Sequence, residues 1–167
     1  MTIAERYAVN CSTWSDIQDH LPLLKAAACD NVMEIGVRTG MSTSALLAGI
    51  EDKGGHLWSV DVDACGHLFT DNPAWTFIKG DSILHAKFIK ALIPEKLTLL
   101  FVDGDHSYRG CLSDLQNFGD RARRIFVHDA DCPETFPGVL KAIKDYATAM
   151  HRDYIVLPGS YGLGVNE

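Results

Sequence analysis

Short apolar runs alternate with longer amphipathic stretches along this chain. Runs rich in β-branched and aromatic residues fall at residues 31–35 (NVMEI), 56–61 (HLWSVD), 75–80 (WTFIKG), 97–103 (LTLLFVD) and 124–129 (RIFVHD), and each ends in or just before a polar residue. Their apolar character is too continuous for a half-solvated sheet, so they predict strands buried on both faces. Between them, helical periodicity predicts helices at Ser42–Ile50, Ser82–Leu92, Tyr108–Phe118 and Gly138–Met150. The last carries Val139, Ile143, Tyr146, Ala147 and Met150 along one stripe. This alternation is the signature of a parallel sheet covered on both faces.

Three segments depart from the alternation. Ala64 to Pro73 has no clear period and is expected to be a loop that contacts ligand. Ser12 to Cys29 reads as helical, with Pro22 opening a second helix, because its ring is tolerated in a first turn; these helices are placed to cap the site. The C-terminal DYIVLPGSYGLGVNE predicts a strand, a Pro-Gly turn and a short final strand, so the sheet should close with a hairpin and one antiparallel strand. With no internal repeat or low-complexity linker, residues 1–167 are expected to form a single domain, a helical cap over 1–30 on a core over 31–167.

Composition narrows the function. A chain of 167 residues with 47% hydrophobic content supports one core and one site. A formal charge of -7 argues against a nucleic-acid binder, whose affinity comes from clustered Lys and Arg releasing counterions; the one dense basic run, Arg121 to Arg124, is short. Five cysteines, with no Cys-x-x-Cys pair, indicate neither a disulfide frame nor a zinc knuckle and fit a reducing cytosol. Glu5 and Arg6 stand where a signal peptide needs apolar residues, and no run approaches the ~20 apolar residues of a membrane span. A cytoplasmic protein without membrane or nucleic-acid partners is the expectation.

The chemistry gathers at strand ends. Glu34-Ile-Gly36-Val-Arg-Thr39-Gly40 lies at the first strand's end and opens the following helix, where open α/β sheets bind ligands. Gly36 and Gly40 let the backbone turn and a ligand approach. The spacing is Gly-x-x-x-Gly, not the Gly-x-Gly-x-x-Gly of a dinucleotide site, and Glu34 would repel a pyrophosphate but attract an ammonium or sulfonium. Asp61 follows Gly40 by 21 residues, close to the ~20-residue offset of a ribose-binding carboxylate, though alone it is equally a turn-forming residue. Gly80-Asp81-Ser82 closes the third strand, which puts carboxylates at three successive strand ends.

The ordered set EIGVRTG, SVD, KGD, LLFVDGDHSY and FVHD resembles the motif series of the class I S-adenosylmethionine-dependent methyltransferases. Within them it is most similar to the metal-dependent small-molecule O-methyltransferases and the cephalosporin-hydroxylase-like proteins, whose fourth strand ends Asp-Gly-Asp-His-Ser-Tyr. The resemblance covers residues 31 to 130, with SYGLG near the end also similar. It implies an α/β, Rossmann-like, doubly wound, mostly parallel seven-stranded sheet of order 3-2-1-4-5-7-6 with N-terminal capping helices.

The resemblance also implies a site. Glu34, Gly36 and Gly40, with Thr39 and Ser42 beside them, would line the methionine part of S-adenosylmethionine. Asp61 and Val62 would meet the ribose, Gly80, Asp81 and Ser82 the adenine edge, and Asp103 would sit beside the methyl group. In metal-dependent relatives the Asp103 position and an acidic pair at the fifth strand's end hold a divalent ion. Here the set reads Asp103, His128 and Asp129, a mixture that suits manganese, iron or zinc at least as well as magnesium. Asp105 and Asp131 offer further oxygen, and His106 is a ligand or a general base; a histidine merely hydrogen-bonded is commoner than either. DRARR at 120–124 replaces the relatives' Pro-Gly-Gly turn. DNPAW at 71–75 is similar to the signature of base-modifying methyltransferases but precedes the wrong strand.

The implied function is methyl transfer to a small-molecule acceptor, O-methylation assisted by a divalent metal, with Asp103 and His106 catalytic. One alternative is a non-catalytic module that keeps the cofactor pocket. Another is an NAD-linked oxidoreductase, which the glycine spacing and Glu34 oppose. Because little chain remains for a substrate domain, a homodimer partner or another protein could complete acceptor selection.

Overall fold

The computed structural model describes residues 1–166. Seven strands form one sheet in the order β3-β2-β1-β4-β5-β7-β6. They are β1 (Asp30–Ile35), β2 (Gly55–Asp61), β3 (Trp75–Lys79), β4 (Leu97–Val102), β5 (Ala122–His128), β6 (Tyr154–Leu157) and β7 (Leu163–Asn166). The first five pair in parallel, and β7 runs antiparallel to both β5 and β6, closing the sheet with a hairpin. The order and the single antiparallel strand agree with the sequence reading.

Alternation along the strands sorts the core into two layers. On β4, Leu100 and Val102 face one layer with Met33, Ile35, Leu115, Phe118, Ile125 and Ile143. Leu99 and Phe101 face the other, with Val32, Leu21, Leu24, Leu46, Leu47 and Leu57. The first layer is covered by α4 (Ala86–Leu92), α5 (Tyr108–Phe118) and α6 (Pro137–Met150), the second by α1 (Ile3–Ser12), α2 (Leu21–Ala27) and α3 (Met41–Lys53). Each fully buried leucine contributes about 2 kcal/mol of transfer free energy. Among the described residues no helix is long and apolar enough to cross a membrane.

The differences from the expected elements have local causes. The first helix lies at Ile3–Ser12, not after Ser12. Thr2 and Glu5 form a reciprocal capping box, with Thr2 Oγ1 accepting from the Glu5 N–H and Glu5 Oε2 from the Thr2 N–H, at 3.1 and 2.8 Å. Residues 13–17 lie outside any helix, and Pro22 sits in the first turn of α2. The helix expected from Ser82 starts at Ala86, because the Asp81 carboxylate accepts the N–H groups of Ile83 and Leu84 in a tight turn. Strand β5 begins at Ala122, two residues before the apolar run.

Residues 64–73 are irregular apart from a turn at Cys65–His67, as their missing period suggests. They pack on the N-terminal helix: Phe69 packs on Trp75, Arg6 donates to the Leu68 carbonyl, and residues 67–74 line a groove of about 860 Å³ against α1.

Leu100 is wholly buried at the centre of the sheet. Leu100→Ala should lower unfolding free energy by about 2–5 kcal/mol, read as a lower urea midpoint with an unchanged slope.

Candidate functional site

Strands β1 and β4 are neighbours whose following helices lie on opposite layers, so a crevice opens between their carboxyl ends. Gly36 has φ +93°, and a Cβ there would overlap the carbonyl of Asp103. The glycine is therefore required by the backbone of the neighbouring strand. Gly40, at φ +79°, lies under Phe69, whose Cε2 would be 2.8 Å from a Cβ.

A cavity of about 430 Å³ fills the crevice. Nine of the residues singled out from sequence line it: Gly36, Asp61, Val62, Gly80, Asp81, Ser82, Asp103, Asp105 and His106. Ile35, Arg38, Val60, Ile83 and Gly104 complete the wall. Asp61 clamps the glycine turn, its Oδ2 accepting from the N–H groups of Val37 and Arg38 at 2.7 and 3.0 Å and its Oδ1 from Asp63 at 2.8 Å. Burial opposes its charge, but these three N–H groups outweigh burial and hold the carboxyl below its ordinary value.

Four expected cofactor contacts lie elsewhere. Glu34 is wholly buried beneath the turn, on the α3 side of β1. It accepts hydrogen bonds from Ser42 Oγ at 2.6 Å, Thr43 Oγ1 at 2.8 Å and Ser59 Oγ at 2.6 Å, tying β1 to α3 and β2. It does not touch the cavity, and burial, only partly offset by the three hydroxyls, pushes its carboxyl up to about 7. Ser42 is turned inward to Glu34, Gly40 is covered by Phe69, and Thr39 is exposed outside the cavity lining.

At the end of the cavity nearest β4 and β5, charged groups interlock. His106 Nε2 stands 3.2 Å from Asp103 Oδ1 and 3.1 Å from Asp129 Oδ2. His128 Nδ1 stands 3.1 Å from Asp103 Oδ1 and 3.4 Å from Asp129 Oδ1. The other His128 nitrogen, Nε2, lies 2.9 Å from the carbonyl oxygens of both Asp16 and Ser160. Both ring nitrogens face only acceptors, so both carry hydrogen and the ring is an imidazolium. Burial disfavours that charge, but the bonds and charges of Asp103 and Asp129 outweigh it and push the pKa up to about 11.

The structure groups the expected metal-binding residues differently from the order of the motifs. His128 engages both ring nitrogens with acceptors behind the two carboxylates. The ligand atoms that lie within 4.8 Å of one another belong to Asp103, His106 and Asp129. Burial opposes the Asp103 charge, yet hydrogen bonds from His106 and His128 hold the carboxyl below its ordinary value. Its bond to His106 in turn raises that imidazole, against the effect of burial. Phe136 packs edge-on to His106, with centroids 4.5 Å apart. Asp129 adopts φ 60° and Ser160 and Tyr161 φ 41° and 64°, so strained backbone surrounds this cluster.

A family model for a methyltransferase domain matches residues 33–130, more than half of the chain. The chain belongs to the methyltransferase-domain family. No curated protein matches it by sequence. Among solved structures, a methyltransferase of Podospora anserina with bound SAH superposes with a TM-score of 0.68 at 13% identity, covering 99% of this chain and 86% of that one. An O-methyltransferase of Bacillus cereus in complex with SAH gives 0.67 at 16% identity, with 98% and 89% coverage. The MycE methyltransferase of mycinamycin biosynthesis, solved with Mg and SAH, gives 0.69 at 16% identity, where 99% of this chain spans 53% of that one. At these identities the likeness establishes the fold of the methyltransferase.

Sequence reasoning missed Asp114 and the depth of Glu34. Asp114 sits on the buried stripe Cys111, Asp114, Leu115, Phe118 of α5, and a carboxylate on an apolar stripe was the available signal. The contact of His128 with the Asp16 carbonyl joins residues 112 apart in sequence, and no sequence signal announces it.

Because the folded pKa of Glu34 is raised from 4.5 to about 7, its contribution is fully present below about pH 4.5 and is lost as pH climbs through about 7. Relative to Glu34→Gln, the native protein should lose on the order of 3 kcal/mol of unfolding free energy between about pH 4.5 and pH 8. Urea unfolding of both proteins across that range checks it; parallel curves would remove the assignment.

Proposed function

We propose that this methyltransferase carries the methyl group of S-adenosylmethionine to a hydroxyl of a small-molecule acceptor, with Asp103, His106 and Asp129 holding a divalent cation beside the reacting atoms. The observation that carries this reading is the convergence of two carboxylates and one imidazole at one end of the lined cavity, their ligand atoms within 4.8 Å. In the proposed pose the ribose meets Asp61, the adenine meets Gly80, Asp81 and Ser82, and the sulfonium points to Asp103. Support for the cofactor comes from the SAH complexes among the similar structures, and support for a cation from the magnesium of MycE.

The donor set fits such an ion. Two carboxylate oxygens and an imidazole nitrogen suit manganese, iron or zinc and also accept magnesium. When bound, the cation would supply a Lewis acid that lowers the pKa of an acceptor hydroxyl. His128 serves the site differently: its fixed positive charge neutralises part of the buried Asp103 and Asp129 pair and keeps both carboxylates facing His106.

Methyl transfer is an in-line displacement at a sulfonium carbon, so the chain's task is positioning plus removal of one proton. Without a cation, His106 is the proton acceptor. Its pairing with Asp103 favours the protonated ring, so metal-free turnover should rise with pH through a value above the ordinary histidine range. The acceptor enters past Phe136, and the 13–20 segment and the loop after β5 select it. The protein is proposed to work in the cytoplasm.

Two measurements test this reading. Asp103→Ala should leave SAH binding by calorimetry nearly intact while transfer falls by roughly a hundredfold or more; loss of SAH binding along with transfer would reject the role. Chelation should sharply lower turnover, leaving the pH-dependent remainder carried by His106, and manganese should restore it; turnover that ignores both removes the cation from the mechanism.

A further inference from the structure

Asp114 is a wholly buried carboxylate that the transfer mechanism does not use. It stands on α5 behind the cavity wall. Its Oδ1 lies 2.6 Å from the hydroxyl oxygen of Ser82, a residue of that wall. Its Oδ2 is buried with no hydrogen-bond partner among the described residues, and sits 3.6 Å from where a Cβ on Gly104 would be. Burial raises the Asp114 carboxyl to about 6, which leaves it ionised at neutral pH.

An ionised carboxylate can only accept. The Ser82 hydroxyl is therefore the donor in this pair, and its single proton is committed to Asp114. Turning that proton toward a ligand would leave a buried charge with no donor on either oxygen, a state that buried carboxylates avoid. Toward the cavity Ser82 Oγ thus presents lone pairs alone. The neighbouring N–H groups of Asp81, Ile83 and Leu84 are taken within the turn, by His85 Nδ1 and by Asp81 Oδ1.

We propose that Asp114 is a positioning residue that sets the base specificity of the cofactor site by fixing Ser82 as a hydrogen-bond acceptor. This rests on the cofactor pose proposed above, in which the adenine edge meets Ser82. An acceptor there matches the 6-amino group of adenine, a donor. It meets the 6-oxo group of hypoxanthine lone pair to lone pair.

The test compares calorimetric binding of SAH with that of S-inosylhomocysteine, which carries 6-oxo for 6-amino and N1–H for the bare N1, at about pH 8, where Asp114 is ionised; the Asp114 and Ser82 variants separate the 6-position from N1. The native protein should favour SAH by about ten- to hundredfold. In Asp114→Asn the side-chain amide can donate to Ser82, the hydroxyl is free to turn, and the ratio should fall toward unity. A purely structural role for Asp114 would weaken both ligands together and leave the ratio unchanged, which overturns the proposal. Ser82→Ala should also collapse the ratio; if Asp114→Asn does not fold, that variant decides, and an unchanged ratio rejects the idea. Equal native affinities overturn the proposal while leaving the cofactor reading intact. Failure of the native protein to bind either ligand overturns both.

Discussion

The contact between the backbones of Gly36 and Asp103 is the constraint from which the rest of the site follows. Strands β1 and β4 lie side by side in register, and the Asp103 N–H donates to the Ile35 carbonyl at 2.8 Å. A side chain at position 36 would force them apart. With the two strand ends locked, the chain leaves β1 toward one layer and β4 toward the other, and the cavity is the space between the departures. Asp61 reinforces the arrangement by gathering the N–H groups of the turn, so one carboxylate both shapes the crevice and lines it.

Charge balance governs the far end. Asp103 and Asp129 lie close together with little access to water, a pairing that repulsion and desolvation oppose. The structure answers with His128, an imidazolium buried behind them and braced by the Asp16 and Ser160 carbonyls. Because those carbonyls belong to the N-terminal cap and the β6–β7 turn, distant segments fold against the site through one ring. The two histidines differ in access: His128 is buried behind the carboxylates with both ring nitrogens engaged, whereas His106 lines the cavity.

Much of the fold was legible because it depends on local repetition. The buried strands β1 to β5, helix α5 with the same two ends, and the terminal hairpin all follow from apolar periods and turn residues that act over a few positions. Asp61, Asp81 and Asp103 were legible for a related reason: polar residues that end buried strands must emerge where ligands bind. Glu34 obeyed a different rule. It precedes the strand's end by one residue, and the pleat turned it to the α3 layer, where three hydroxyls satisfy it. Its sequence neighbours suggested a ligand contact because sequence carries no record of which layer a side chain meets.

Sequence by itself determined the element types, the sheet order through its motif series, and the family, since each rests on patterns or residues close together in the chain. Tertiary structure decided which acidic groups reach the cavity, which histidine is buried behind them and which lines the cavity, and which way the Ser82 hydroxyl points. These are properties of protons and lone pairs. Their placement depends on partners 25, 32 or 112 positions away, such as Asp103 for His128, Asp114 for Ser82 and Asp16 for His128, and only packing brings those partners within hydrogen-bonding distance.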